Sequence, residues 1–385
     1  MDGGPMSAPF HKRANGEGSI WKRKDGRWCA SIVWDGERKY FYAASRVDVT
    51  IRLNKALEQR AAGLAAATTS TTITEFFRQW IDDIKPTIRY STWFRYKRLL
   101  ELHALPKIGC IALSELRPQH LQRLYASSLE EGMSPTSVHH LHTVIHKLLG
   151  AAQRWDIVAR NVADLADAPR ISRKEVRTLS QEEVRRLLQS VSEPRLRAFL
   201  TLAVTTGMRQ GELLGLMWTD VSFKNRSIAV RSNRAYTETG YAISQVKTKH
   251  SRRLIKLSDM AIQALYEHQQ AQHELSFLLG GSWSDNGLVF TNDHGGLWNH
   301  VNVRLAFDRV LRETHLPRIR IHDLRHTAAT LLLEHGVHPK VVSEMLGHST
   351  IAITLDTYSH VTAGLQQAAI EAMDQIISTE KNAHS

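Results

Sequence analysis

The sequence predicts a mainly helical protein with small β-sheets, laid out as three domains: a sheet-plus-helix domain over residues 1–65, an all-helical domain over 70–165, and a larger, mostly helical α/β domain over 175–385. Three observations predict it. Aromatic-rich runs broken by Asp-Gly pairs fill residues 19–42, whereas apolar residues recur at helical spacing from Phe76 onward. Two stretches without a periodic apolar pattern, 63–72 and 158–177, divide these regimes. Finally, 385 residues are enough for two or three separately buried cores.

The first domain reads as three short strands: Ile20-Trp21, then 28–34, then 38–42, joined at Asp25-Gly26 and Asp35-Gly36. Asp-Gly supplies the positive φ angles that two-residue hairpin turns demand. Alternation along the middle strand puts Trp28, Ala30, Ile32 and Trp34 on one face, and a helix over about 46–60 is placed to cover it.

The second domain opens where Thr72 and Glu75 have capping-box spacing ahead of Phe76, Phe77, Trp80, Ile81 and Ile84. This amphipathic helix stops before Pro86, and further helices are predicted at about 91–103, 117–131 and 136–155. Asp167-Ala168-Pro169-Arg170 marks a connection, after which Ser180 and Glu183 cap the first helix of the third domain. Strands near 227–231, 241–246 and 253–257 interrupt its helices, and no internal repeat is visible. Trp80, Trp93, Phe94, Trp155 and Trp218 read as core.

Composition narrows the partners. Lys and Arg total 50 against 38 Asp and Glu, a net charge of +12 that suits a phosphate backbone. Residues 11–46 alone hold nine Lys or Arg and only four Asp or Glu, with six aromatic residues among them, so the small sheet suits a major groove. Arg27, Arg38 and Lys39 are its candidate DNA contacts, with a solvated strand edge as the alternative. The two cysteines, Cys29 and Cys110, build neither a disulfide framework nor a cysteine zinc site, which fits a reducing compartment. No signal peptide is legible, and no run approaches the roughly 20 apolar residues of a bilayer span. A cytoplasmic, DNA-associated protein without a membrane partner is expected.

Four strings in the third domain carry chemistry: Thr206-Gly207-Met208-Arg209-Gln210-Gly211-Glu212-Leu213, Val246-Lys247-Thr248-Lys249, His322-Asp323-Leu324-Arg325-His326 and Leu346-Gly347-His348-Ser349, with Tyr358 ten residues past His348. In this order they closely resemble the catalytic domain of tyrosine recombinases, the phage-integrase family, over about residues 175–377. Any one string is weak; the coincidence of all five elements is specific. The helical domain resembles the core-binding domain that accompanies this catalytic domain, and the N-terminal sheet resembles an arm-site binding domain. At Asn161-Val162 the chain departs from the family, where Pro often follows the Asn, and this blurs the end of the core-binding domain.

The resemblance implies an active site of Arg209, Lys247, His322, Arg325, His348 and Tyr358. A phenol titrates near 10, so its attack on a phosphodiester needs a proton acceptor and a positive field. His322 is the implied acceptor; Arg209 and Arg325 would hold the nonbridging oxygens, and His348 would add a donor. Lys247 would protonate the departing 5′ oxygen. Lys249 competes for that role, and both lie in a basic run with Arg252 and Arg253 that also suits phosphate contact. Glu212, three residues after Arg209, reads as its orienting partner rather than as an acid.

The resemblance further implies no cofactor and no metal. His322 and His326 lack a third ligand with the usual motif, and His139, His142 and His146 share a helix face read as DNA-facing or solvated rather than metal-binding. The expected function is a site-specific recombinase that integrates or excises a mobile element through a 3′-phosphotyrosine intermediate. Its partners would be duplex attachment sites, three further copies of itself on DNA, and an accessory bending or excision factor. The tail, with Ile370, Met373, Ile376 and Ile377, would dock on a neighbouring subunit or fold back on its own. Two rivals stand beside this reading: a catalytically inactive DNA-binding regulator of the same fold, and a type IB topoisomerase.

Overall fold

In the computed structural model, the described residues are 18–34, 37–61, 71–171, 176–245, 252–357 and five positions between 370 and 377. The chain divides into two compact units, Met1–Arg173 and Lys174–Ser385, and the first unit contains two separate apolar cores.

The N-terminal core matches the alternation in the sequence. Strands β1 (Ser19–Lys22), β2 (Trp28–Trp34) and β3 (Glu37–Ala43) form an antiparallel sheet in that order, with Trp21 opposite Cys29 and Cys29 opposite Tyr42. Helix α1 (Arg46–Ala61) lays Val49 and Leu53 on Ala30 and Ile32, all buried, with Trp28 packed beside them. The opposite face leaves Trp21, Val33, Tyr40 and Tyr42 exposed. Of the candidate contacts, Arg27 and Arg38 are exposed, whereas Lys39 is half-buried opposite Ile32. The turn at Asp35-Gly36 and the side chain of Trp34 lie outside the described residues.

The second core is helical. Thr72 caps α2 (Ile73–Ile84) reciprocally: its hydroxyl accepts from the Glu75 amide at 3.2 Å while the Glu75 carboxylate accepts from the Thr72 amide at 2.8 Å. Such a cap stabilises a helix by about 1 kcal/mol. Helix α3 (Tyr90–Leu99) runs on through a π segment, Leu100–Ala104, into α4 (Leu105–Ile108), further than the 91–103 predicted. The widened turn accommodates Pro106, which has no N–H and whose ring crowds the carbonyl four residues back. Helices α5 (Pro118–Glu130) and α6 (Pro135–Arg154) complete the core, where Phe76, Leu121, Leu141 and their neighbours each contribute roughly 1.5–3 kcal/mol by burial. Asn161 is buried and ties the following chain back, donating to the His146 carbonyl at 3.0 Å.

One sequence expectation needs correction here. Trp155 is 40% exposed, because it stands at the C-cap of α6 and rests only an edge on Phe76. On the histidine face of α6, half-buried His142 pairs through Nδ1 with the Tyr125 hydroxyl at 3.0 Å, and exposed His146 with Asp164 at 2.7 Å. Among the described residues no cluster has the make-up of a metal site, and no helix is long and apolar enough to cross a membrane.

In the second unit α8 (Pro194–Thr206) is apolar on nearly every side and is therefore central. Helix α7 (Gln181–Gln189), capped by Ser180 and Glu183, packs against it, as do α10 (Asp259–Leu279) and α12 (Asp323–Glu334). Strands β4 (Val221–Ser222), β5 (Ser227–Val230) and β8 (Arg253–Lys256) make one antiparallel sheet, and β6 (Ser232–Thr237) with β7 (Gly240–Gln245) a separate hairpin. The sequence reading found three of these five strands. The remaining helices are α9 (Gln210–Leu214), α11 (His300–Glu313), α13 (Pro339–Leu346) and α14 (Ile351–Thr357).

Candidate active site

Two left-handed glycines create the site. Helix α8 ends at Gly207, with φ 61° and ψ 20°, and α13 ends at Gly347, with φ 70° and ψ 47°. These conformations disfavour any side chain, and at Gly207 a β-carbon would also lie 2.3 Å from Leu346 Cδ2. The two turns can therefore approach one another closely.

Arg209 is the N-cap of α9. Its backbone amide donates to Glu212 Oε2 at 3.0 Å and its Nη1 to Oε1 at 2.8 Å, so the pairing expected from the spacing is present. Arg325, on the first turn of α12 and only 4% exposed, sends Nη1 to the carbonyls of Gly207 (2.8 Å) and Leu346 (2.7 Å). It thus stitches both glycine turns together.

The last carbonyls of a helix have no partner within it and carry partial negative charge. At the end of α13 three guanidiniums take consecutive ones: Arg253 Nε donates to Met345 O at 2.7 Å, Arg325 to Leu346 O, and Arg209 Nη2 to Gly347 O at 3.2 Å. The next residue is His348, whose Nδ1 lies 2.8 Å from the Thr354 hydroxyl on α14.

The histidines report the resulting field. Burial and the nearby charges of Arg325 and Arg209 push His348 down to about 4. Burial also lowers His322, helped by His326 and Arg325 and opposed by Asp323; burial lowers His326 likewise. His322, at the N-cap of α12, meets His326 edge-on with ring centroids 5.3 Å apart. At neutral pH these imidazoles are uncharged, able to accept or donate one proton each within a cationic surround.

Arg209, Arg325 and His348 are thus brought together around one turn, with His322 three residues before Arg325. Tyr358, Lys247 and Lys249 lie outside the described residues; α14 reaches Thr357. Arg252 is exposed just before β8. Sequence reasoning missed Arg253 and Thr354. The signal for Arg253 was available: two residues before inward Ile255 on a strand, it must share that face. Beside His322 opens a groove of about 730 Å³ whose lining includes Arg177, His300, Arg304, Arg318 and Arg320, against Asp308 and Asp323.

The model of the phage integrase family matches residues 177–364, and that of the phage integrase N-terminal SAM-like domain matches 72–129. The chain belongs to the phage integrase family. As a member it is a tyrosine-type, site-specific DNA recombinase. Among relatives of this integrase-family chain, the XerC-like tyrosine recombinase of Caldanaerobacter subterraneus subsp. tengcongensis is 28% identical over 369 residues, covering 88% of this chain and 92% of the relative. The integrase of Saccharopolyspora erythraea is 24% identical, covering 91% and 94%. Among solved structures, the Tn1549 transposon integrase in complex with a circular intermediate DNA superposes with a TM-score of 0.68 over 79% of this chain and 99% of that one, at 21% identity. A λ integrase dimer bound to a COC′ core site gives 0.56 over 90% and 96%, at 16% identity. These likenesses establish the fold, which is mostly helical with small antiparallel sheets.

Proposed function

We propose that the chain cuts and rejoins duplex attachment sites through a 3′-phosphotyrosine intermediate, with Tyr358 as nucleophile, and so integrates or excises a mobile element. The observation that carries this reading is the pair of guanidiniums, Arg209 and Arg325, fixed on the carbonyls around the turn that presents a neutral His348. Planar donors held in advance stabilise the charge that builds on a phosphate under attack without reorganising during the reaction.

In the proposed step the Tyr358 oxygen bonds to phosphorus and the bond from phosphorus to the 5′ oxygen breaks. His322 takes the phenolic proton, and Lys247 delivers one to the leaving oxygen; Lys249 is the alternative donor. The phosphoester survives as the link to the enzyme, so a 5′ hydroxyl from another strand can reverse the attack and reseal without a nucleotide cofactor.

The same reading assigns the three regions: residues 1–65 bind arm-type sites through the face bearing Arg38 and its aromatics, 70–165 grip core DNA, and 175–385 catalyse. Arg252 and the basic groove beside His322 support phosphate contact at the catalytic unit. λ integrase has been solved as a tetramer bound to a Holliday junction, which supports four copies acting together here. An accessory bending or excision factor belongs to the same proposal.

The test is recombination between two plasmids that each carry DNA flanking the gene. Recombinant junctions that require the intact chain are expected. Binding without junctions would favour the inactive regulator, and relaxation of supercoils without junctions would favour the topoisomerase.

A further inference from the structure

We infer that Arg253 is a positioning residue for cleavage: it holds Glu212 as a carboxylate that orients Arg209, and it braces the turn that carries His348. The inference rests on the recombinase reading, but part of its test does not.

Arg253 opens β8 with its side chain 7% exposed, and the Glu212 side chain is 3% exposed. Its guanidinium works along two edges. Nη2 and Nη1 donate to Glu212 Oε2 and Oε1 at 2.8 and 3.2 Å, while Nε donates to the Met345 carbonyl at 2.7 Å. A lysine ammonium has no such fork and cannot serve both partners in this geometry. Arg209 is far more open, at 39%. One carboxylate therefore couples a buried arginine to the phosphate-binding one.

This coupling has a chemical requirement. Burial drives Glu212 toward its neutral form, and the hydrogen bond and charge of Arg253, followed by those of Arg209, outweigh it. The other titratable group at this junction, His348 on the turn after α13, faces both guanidiniums and is neutral. On β6, which packs against α9, Arg234 is turned away, onto the Trp298 carbonyl and the Tyr241 ring. No further cation among the described residues is shown to reach Glu212. Without Arg253, Glu212 gains a proton at a higher pH, and a neutral acid holds Arg209 weakly.

The experiment compares the parent chain, Arg253→Met, Arg253→Lys and the double variant Arg253→Met/Glu212→Gln. Covalent adduct formation is followed from pH 5 to 9 on an end-labelled nicked duplex drawn from the gene's flanking DNA. Arg253→Met is expected to lose at least tenfold more of its rate than the parent between pH 8 and pH 6. The double variant, which has no acid to titrate, is expected to lose that extra pH dependence. Arg253→Lys should fall between, and it carries the comparison should Arg253→Met not fold.

Thermal unfolding of the same set across the same pH range needs no DNA. Because a raised Glu212 takes up its proton in the folded state first, the stability deficit of Arg253→Met shrinks as pH falls, and Glu212→Gln abolishes that trend. A pH profile unchanged by Arg253→Met, or a changed one that survives Glu212→Gln, would overturn the inference. If the parent forms no adduct, the recombinase reading fails, while the unfolding series still decides whether Arg253 governs Glu212.

Discussion

Thr354 is fully buried, and its hydroxyl lies 2.8 Å from Nδ1 of His348. The contact fixes the imidazole plane and leaves Nε2 for another partner. With His348 held near 4, the ring is neutral at pH 7 and has a single N–H, and the Thr354 hydroxyl, which can donate or accept, pairs with Nδ1 in either tautomer. Thr354→Val keeps the shape and removes the bond. Adduct formation is expected to slow about tenfold, the equivalent of about 1.4 kcal/mol, with little change in Tm. Quenched single-turnover assays measure it; an unchanged rate would contradict the assignment.

Nη1 of Arg325 donates to two carbonyls, those of Gly207 and Leu346, and this pair of bonds holds its guanidinium in a rigid frame. Arg325→Lys keeps the charge and loses the frame. The rate of the covalent step should fall by about 10²–10³, as when a fixed transition-state donor is removed, while DNA affinity in a gel-shift assay changes little.

Gly207→Ala introduces a β-carbon 2.3 Å from Leu346 Cδ2 at a residue with φ 61°. A loss of about 1–3 kcal/mol is expected from strain and displaced packing. Because the Gly207 carbonyl anchors Arg325, adduct formation should fall further than the shift in Tm explains. Calorimetry alongside the cleavage assay separates the two effects.

Stability should depend on pH through the buried histidines. His348 and His268 are each held near 4 against an ordinary 6.5, chiefly by burial, so the unfolded chain binds protons that the folded one refuses. Their contribution is complete above 6.5 and is lost as pH falls toward 4. Tm should decline across that window, and His348→Gln should flatten part of the decline. The rate should keep its value down to about 6.5 and fall only below it, because His322, the proposed acceptor, is also depressed and must be neutral to take a proton.

Local rules made most of the fold legible. Thr72 with Glu75, and Ser180 with Glu183, announce their helices because a capping box is written in four consecutive residues. The N-terminal sheet follows from alternation around Asp25-Gly26. Strand β6 escaped notice because Ser232–Thr237 is half-buried throughout, with no alternation to read. The continuation of α3 through Pro106 escaped because a proline ordinarily ends a helix. In the site, Arg209 and Glu212 are neighbours on one turn, so their pairing could be foreseen. The Arg253–Glu212 bond joins residues 41 apart, and the three guanidiniums on the end of α13 meet only through tertiary packing. A basic run hid one buried arginine among exposed ones.

In the proposed reaction one phenol is delivered to a phosphate held by Arg209 and Arg325. The most direct measurement is mass spectrometry of the peptide left on DNA after a nicked duplex from the gene's flanking sequence is cleaved and the protein digested. A nucleotide joined through its 3′ phosphate to residue 358 is expected, and no adduct from Tyr358→Phe. Attachment at another residue, or at a 5′ phosphate, or cleavage that persists in Tyr358→Phe, would contradict it.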